Sequence, residues 1–213
     1  MTSSNSTERS SADTLQVLHC FADTGVECEV LSAYGKVTRV GINPTRNPYT
    51  DAVIQADVRD LELDETYDLG LFHPPCQRWT PGAQQSGTAS SHENLIPVAR
   101  NAAQKHCREW IIENVPQAPL RDPITLNGSM FGLPLYYERC FETSYHVPQP
   151  RQQTRLTDPP EKLQEHHETG HWNGDKHLWK SVKGYTHDWP SRTLKRNAIP
   201  RAYMNYLLRP LLD

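Results

Sequence analysis

A cysteine and a glutamate follow two short apolar segments of this sequence, the cysteine after a short His-Pro-Pro turn and the glutamate directly. Cys76 follows a pair of prolines at the end of Tyr67–Phe72, and Glu113 follows Trp110–Ile112. Prolines fix the backbone φ angle near about −65° and hold the next residue stiffly. A cysteine held in this way can act as a nucleophile, because a fixed position removes part of the entropic cost of reaction. A buried structural cysteine fits the same spacing equally well.

The setting of Glu113 predicts a second chemical role. A carboxyl group beside apolar walls tends to keep its proton near neutral pH and can then act as a proton donor. A solvent-facing or helix-capping glutamate is the alternative. A third polar cluster, Phe21–Gly25, also follows an apolar segment. Ligands of parallel α/β sheets bind at the carboxyl ends of the strands, so the three clusters are expected to meet in one cleft.

The predicted elements that would position these clusters alternate between strands and helices. We predict strands over 14–21, 37–42, 52–56, 67–72 and 110–112, and helices over 26–34, 93–106 and 202–208. This order predicts an α/β domain with a parallel sheet over residues 14–148. Residues 149–190 are predicted to form a loop-rich insert and 191–213 to return to the core. The Ser/Thr-rich residues 1–13 are predicted to form a flexible tail.

Composition excludes several other classes of protein. The 213 residues carry a formal net charge of −3, which fits one domain and not a polycation that coats nucleic acid. No apolar run is long enough to span a membrane. The five cysteines include no CxxC pair, which favours a reducing, intracellular location. Basic residues outnumber acidic ones only in the C-terminal half, which is a candidate polyanion-binding face or ordinary surface variation.

Five motifs, in the expected order, resemble those of the DNA (cytosine-5) methyltransferases. They are Pro-Pro-Cys-Gln-x-x-Thr at 74–80, Glu-Asn-Val at 113–115, the turn at 18–25, Glu138–Thr143 around Arg139, and Asn-Ala-Ile-Pro at 197–200. The resemblance covers about residues 15–148 and 187–212 and is greatest to the compact members found in phage genomes. It implies an α/β, Rossmann-like S-adenosylmethionine-dependent methyltransferase fold with a small loop-rich insert.

The resemblance also implies a mechanism and a set of site residues. Cys76 would attack C6 of a cytosine flipped out of double-stranded DNA, Glu113 would donate to N3, and Arg139 would contact O2. The activated C5 would then take the methyl group of S-adenosylmethionine or of a derivative. The implied cofactor-binding residues are Phe21, Asp23, Thr24, Gly25, Asn43, Asp57, Pro74 and Asn197.

The expected DNA contacts lie after the nucleophile and in the insert. They are Gln77, Arg78, Thr80, Arg151, Arg155, Lys180 and Lys183, with Trp172 and Trp179 interleaved. Basic groups pair with phosphates and aromatic rings with bases. An insert this small predicts a short or loose recognition sequence. Four histidines of the insert, His166, His167, His171 and His177, lack the paired spacing of a zinc site. We therefore expect no metal, and no obligate protein partner is evident.

Several positions depart from the family pattern. The family has an acidic residue where His19 stands and glycine where Asp23 stands, and Asn43 is the nearest substitute for the acid that binds ribose. Tyr137 replaces an arginine. Four interpretations stay open: ordinary S-adenosylmethionine bound by altered contacts, a cofactor with a larger group, a DNA-binding protein without catalysis, or an RNA cytosine methyltransferase. The retention of both Cys76 and Glu113 argues against loss of catalysis.

Overall fold

The computed structural model describes residues 14–151 and 175–212. Within them the chain builds one seven-stranded sheet with the order β3-β2-β1-β4-β5-β7-β6. The strands are β1 (Leu15–Cys20), β2 (Gly35–Gly41), β3 (Ala52–Gln55), β4 (Tyr67–Phe72), β5 (Cys107–Asn114), β6 (Ile124–Leu126) and β7 (Arg139–Thr143). The prediction of an α/β, Rossmann-like fold is confirmed.

Only part of the sheet is parallel. Strands β1 to β5 pair in parallel, as predicted. Strand β7 runs antiparallel to β5, and β6 runs antiparallel to β7. The prediction of a wholly parallel sheet was therefore wrong, because it missed these two strands. Their apolar residues are few, and a short strand such as Arg139–Thr143 gives little periodicity to recognise.

The strand order reverses between β1 and β4, which places the candidate site. In open α/β sheets the crevice at such a reversal, outside the carboxyl ends of the strands, is where ligands bind. Cys20 at the end of β1 pairs with Phe72 at the end of β4, and Phe72 pairs with Ile112 of β5. The three polar clusters therefore leave the sheet at the same edge.

Six α-helices are present in the described residues. They are α1 (Cys28–Leu31), α2 (Pro81–Gln85), α3 (Ile96–His106), α4 (Lys176–Lys183), α5 (Ser191–Arg196) and α6 (Arg201–Leu208). Helix α6 matches the predicted closing helix, with Pro200 before it. Helix α1 is shorter than predicted, since residues up to Tyr34 continue as tighter turns. Helix α3 begins three residues late because Asn94 accepts a hydrogen bond from the Ile96 N–H and Pro97 occupies the first turn.

Each face of the sheet carries its own apolar core, because side chains alternate along a strand. On one face, Leu18 and Ile112 pack with Ala103 of α3. On the other, Val17 and Ile111 belong to a cluster that includes helices α4 to α6. None of the described helices combines the length and apolar character needed to cross a bilayer.

The second half of the predicted insert belongs to this core. Trp179, Tyr185 and Trp189 are buried in the same cluster as the closing helix. The expectation of a loop-rich segment is therefore wrong for Lys176–Lys183, which form a helix, whereas the expectation that this segment faces DNA stays a prediction. Residues 152–174 lie outside the described residues, and with them Arg155, Trp172, His166, His167 and His171.

A buried glutamate ties this segment to the first helical turn of the chain. The Glu29 carboxylate accepts hydrogen bonds from the Thr186 N–H and hydroxyl, the His187 N–H and the Trp189 indole N–H, at 2.7–3.2 Å. Arg201 of α6 adds an ion pair at 2.7 Å. Burial alone would raise the pKa of Glu29, but the hydrogen bonds from Thr186, Trp189 and His187 outweigh it and lower that pKa. The C-terminal wall of the site is fastened through this carboxylate.

A candidate active site at the carboxyl ends of the strands

A cavity of about 340 Å³ lies outside the ends of β1, β4 and β5. It brings together ten of the predicted site residues: Phe21, Asp23, Thr24, Gly25, Pro74, Cys76, Gln77, Glu113, Arg139 and Asn197. The predicted residues that do not line it are Asn43, Asp57, Arg78, Thr80, Arg151, Lys180 and Lys183. His19, Glu27, His73 and Thr193 line it as well, and sequence reasoning assigned none of them a role; Arg196 also lines it.

The turn that carries Cys76 is held from two sides. The Asn114 side chain at the end of β5 donates a hydrogen bond of 2.9 Å to the Pro74 carbonyl. After Cys76 the chain enters a 3₁₀ turn, Gln77–Trp79, and the Thr80 hydroxyl then caps α2 by accepting from the Ala83 N–H. Burial raises the pKa of the Cys76 thiol, and the nearby Glu113 carboxylate adds to the effect while Arg139 opposes it. In the structure as it stands, the thiol form of Cys76 is therefore favoured at neutral pH.

Glu113 is bracketed by two donors. Arg139 Nε lies 3.0 Å from its Oε1, and His73 Nδ1 lies 3.0 Å from its Oε2. Sequence reasoning expected apolar walls around this carboxyl group, and this expectation is wrong. Burial opposes a charge on His73, but the hydrogen bond to Glu113 and the charge of Glu27 outweigh it, so the pKa of His73 is raised.

Arg139 is fixed by its neighbours as well as by Glu113. Its guanidinium donates to the carbonyls of Glu138 and Arg196. The carbon at its centre lies 3.8 Å from the centroid of the Tyr137 ring. Tyr137 is buried and donates its hydroxyl to the Arg196 carbonyl at 2.8 Å. Its ring thus supports the Arg139 guanidinium.

The turn after β1 is tightly constrained. Phe21 has a φ of 58°, which is unusual for a bulky residue and typical of functional turns. The buried Arg39 side chain of β2 donates to the carbonyls of Ala22 and Asp23. Gly25 has a φ of +62°, and a Cβ there would lie 2.5 Å from Arg39 Cδ. Position 25 therefore requires glycine for two independent reasons.

Asp23 places a carboxylate beside the end of β2. Its Oδ1 accepts from the Asn43 N–H at 2.9 Å, and Asp23 is exposed. A carboxylate from the turn after β1 thus stands at the end of β2, where the sequence itself has Asn43. Asp57 instead caps a 3₁₀ turn and forms a salt bridge with Arg59 at 2.6 Å, away from the cavity lining.

Two further residues predicted to contact DNA, Lys183 and Arg78, form hydrogen bonds within the protein instead. Lys183 is buried and donates to the Ala198 and Lys195 carbonyls. Burial, with the charge of Arg139, holds the pKa of Lys183 well below its usual value. Lys183 is thus unavailable to DNA, contrary to expectation. Arg78 is half-buried and donates to the His92 carbonyl at 2.7 Å. Arg151 and the cavity-lining Arg196 are exposed.

Comparison with solved structures identifies the fold of this chain. No family model and no curated protein matches the sequence. Among solved structures, the Entamoeba histolytica methyltransferase EhMeth aligns over 94% of this chain and 100% of its own, with a TM-score of 0.57 and 10% identity. Thermoplasma acidophilum 1320 aligns over 61% of this chain and 78% of its own, with a TM-score of 0.42 and 12% identity. The latter score is too low to carry an argument. From the first alignment and the strand order, the chain has the Rossmann-like fold of a methyltransferase.

Proposed function

We propose that the protein transfers a methyl group from S-adenosylmethionine to C5 of cytosine in DNA, with Cys76 as the nucleophile. The observation that carries the proposal is the cavity itself. It joins Cys76, Glu113 and Arg139 to the constrained turn Phe21–Gly25. In the resemblance stated above, these are the parts that bind the base and the cofactor.

The residues present suit S-adenosylmethionine, which supplies an electrophilic methyl group on a sulfonium. Gly25 lines the cavity, and Phe21 offers an apolar surface at its wall. Asp23 has one oxygen held by Asn43, which leaves the other as an acceptor for ribose hydroxyls. Asp23 would thus take the role expected of Asn43.

The opposite part of the cavity suits a pyrimidine ring. Arg139 is held at three points, so its guanidinium is a fixed donor for the carbonyl oxygen O2. Glu113 accepts from two donors, an arrangement that suits the exocyclic amine of cytosine. Protonated, the same group would donate to N3, as the resemblance implies. Either contact discriminates cytosine from thymine, which has a carbonyl at position 4 and a protonated N3.

Cys76 carries the covalent chemistry in this proposal. Its sulfur forms a bond to C6 after losing the thiol proton, and C5 gains nucleophilic character. When C5 has taken the methyl group, with S-adenosylhomocysteine as the leaving group, the C5 proton passes to solvent and the sulfur leaves C6 as a thiolate, which restores the ring. The raised pKa of Cys76 implies that the thiolate forms only in a small fraction of the resting protein at neutral pH.

Exposed arginines of helix α5 support a polyanionic substrate. Arg196 lines the cavity, and Arg192 is exposed on the same helix. A flipped nucleotide would bring its phosphates to such a rim.

Covalent trapping on a fluorinated base tests this proposal. Fluorine at C5 blocks the final elimination, so an active enzyme stays bound to DNA containing 5-fluorocytosine. With S-adenosylmethionine present, we expect a denaturant-resistant adduct with the unmodified protein and none with Cys76→Ser. An RNA of the same sequence, run in parallel, should give no adduct. An adduct on RNA alone would reassign the substrate, and DNA binding without any adduct would support the non-catalytic alternative.

A further inference from the structure

Two histidines and a glutamate converge at the wall of the cavity beside the proposed catalytic residues. His19 lies on β1, Glu27 lies just before α1, and His73 follows β4. Glu27 Oε2 is 3.9 Å from His19 Nε2 and 4.0 Å from His73 Nε2. The three potential ligand atoms all lie within 4.8 Å of one another. Of the three, the proposed methyl transfer uses only His73, through its Nδ1 contact with Glu113.

Both imidazoles leave a buried nitrogen unsatisfied. Among the described residues, neither His19 Nε2 nor His73 Nε2 has a hydrogen-bond partner. His19 is fully buried, with a relative exposure of 0%. A buried polar atom without a hydrogen-bond partner destabilises the folded state, so two such nitrogens side by side point to a ligand that both of them bind.

The remaining polar atom of each side chain is already engaged. His73 Nδ1 lies 3.0 Å from Glu113 Oε2, His19 Nδ1 lies 3.2 Å from Cys28 Sγ, and Glu27 Oε1 accepts from the Ile199 N–H at 2.9 Å. Partners of this kind orient metal-bound histidines and carboxylates. If each Nδ1 carries the proton, each Nε2 presents a lone pair to the same point.

We propose that His19, Glu27 and His73 bind a divalent transition-metal ion such as Zn²⁺ or Fe²⁺. Two imidazoles and one carboxylate form a set that these ions favour. Ligands about 2.1 Å from a tetrahedral ion stand about 3.4 Å apart, so side-chain shifts of roughly 0.5–1 Å would close the site. All three residues line the cavity, which leaves the open coordination positions facing a ligand there.

Cobalt titration of the full, untagged chain tests this site. Four of the eight other histidines stand close together in the sequence and could bind metal, so the reference protein carries His166→Gln, His167→Gln, His171→Gln and His177→Gln. After treatment with a chelator, we expect this protein to bind one Co²⁺ per chain, with visible d–d absorption. Glu27→Gln and His73→Gln, each added singly, should weaken binding at least tenfold. The exposed His92→Gln should leave it unchanged.

A second readout separates metal binding from a merely structural role. Zn²⁺ at saturating concentration should raise the Tm of the reference protein, because it binds the folded state, and should raise the Tm of Glu27→Gln by less. Glu27→Gln retains an amide oxygen that can accept from the Ile199 N–H, so it is expected to fold. Absence of saturable Co²⁺ binding by the folded reference protein would overturn the proposal. So would binding that neither Glu27→Gln nor His73→Gln weakens. Neither readout depends on methyl transfer, so the two proposals fail separately.

Discussion

Glu29 provides the most quantitative test of how the site is assembled. Its carboxylate is buried and accepts from four donors of the segment Thr186–Trp189, and it pairs with Arg201. The substitution Glu29→Gln preserves the shape of the side chain and one acceptor oxygen. It removes the charge and replaces the second carboxylate oxygen by an amide NH2 group, which cannot accept a hydrogen bond from these donors.

The expected cost follows from the contacts that are lost. Hydrogen bonds to a charged group contribute about 1.5–3 kcal/mol each, and a buried donor left unpaired costs about 1–3 kcal/mol. Removing one partner of a buried ion pair costs about 3–5 kcal/mol. Since Gln keeps one acceptor, we expect Glu29→Gln to lower the free energy of unfolding by about 2–4 kcal/mol. This is a large part of the roughly 5–15 kcal/mol typical of a domain.

Urea unfolding monitored by tryptophan fluorescence measures this loss, since the buried Trp189 donates to Glu29 and the buried Trp179 belongs to the same apolar core. The exposed Glu65→Gln is the matched control and should change the free energy of unfolding by less than about 0.5 kcal/mol.

The pH dependence has a defined sign. The pKa of Glu29 is lowered from 4.5 in the folded protein, so its contribution is present above that value and is lost as the pH falls through the folded pKa. The difference between the unmodified protein and Glu29→Gln should therefore shrink below about pH 4.5. A cost under about 0.5 kcal/mol at pH 7 would refute the reasoning. So would a difference that stays constant down to about pH 3, well below the unfolded pKa.

Three further results are expected. Alkylation of Cys76 by iodoacetamide, followed by peptide mass spectrometry, should rise with pH to a midpoint above the ordinary cysteine value, and Glu113→Gln should lower that midpoint; a midpoint below the ordinary value would contradict the burial argument. Gly25→Ala should lower the free energy of unfolding by about 1–3 kcal/mol, whereas Gly82→Ala, with nothing within 4 Å of its Cβ, should be tolerated; equal effects would contradict the close approach at the turn. Lys183→Met should change stability but leave DNA affinity, measured by fluorescence anisotropy, within about twofold, because its ammonium is bonded inside the protein; a larger loss of affinity would show that Lys183 reaches DNA.

The parallel half of the fold was predictable because its signals are local. Leu15–Cys20 and Tyr67–Phe72 are short apolar runs, and the polar clusters after them mark the carboxyl ends of strands. The meeting of Cys76, Glu113 and Phe21–Gly25 in one cavity follows from parallel topology alone. Strand β7 was missed because only three of its five residues are buried, and its register depends on β5.

The environments of the site residues were not predictable, because they depend on distant partners. Glu113 was expected beside apolar walls, yet Arg139 and His73 reach its two oxygens. Lys183 was predicted to be a surface cation, but its side-chain nitrogen donates hydrogen bonds to the carbonyls of Lys195 and Ala198 inside the core. Polar residues at a buried strand end, such as His73 before the proline pair, were the one local signal that could have indicated the histidine cluster.

Mass spectrometry of nucleosides tests the central claim most directly. DNA from cells that express the protein would be digested and compared with DNA from cells that express Cys76→Ala. Methyl transfer predicts a cytosine heavier by one methyl group that depends on Cys76. A cytosine that is heavier by more than one methyl group, and whose formation depends on Cys76, would support Cys76 as the nucleophile but contradict S-adenosylmethionine as the cofactor. No modified cytosine, together with no covalent adduct on 5-fluorocytosine DNA supplied with S-adenosylmethionine, would contradict catalysis by Cys76.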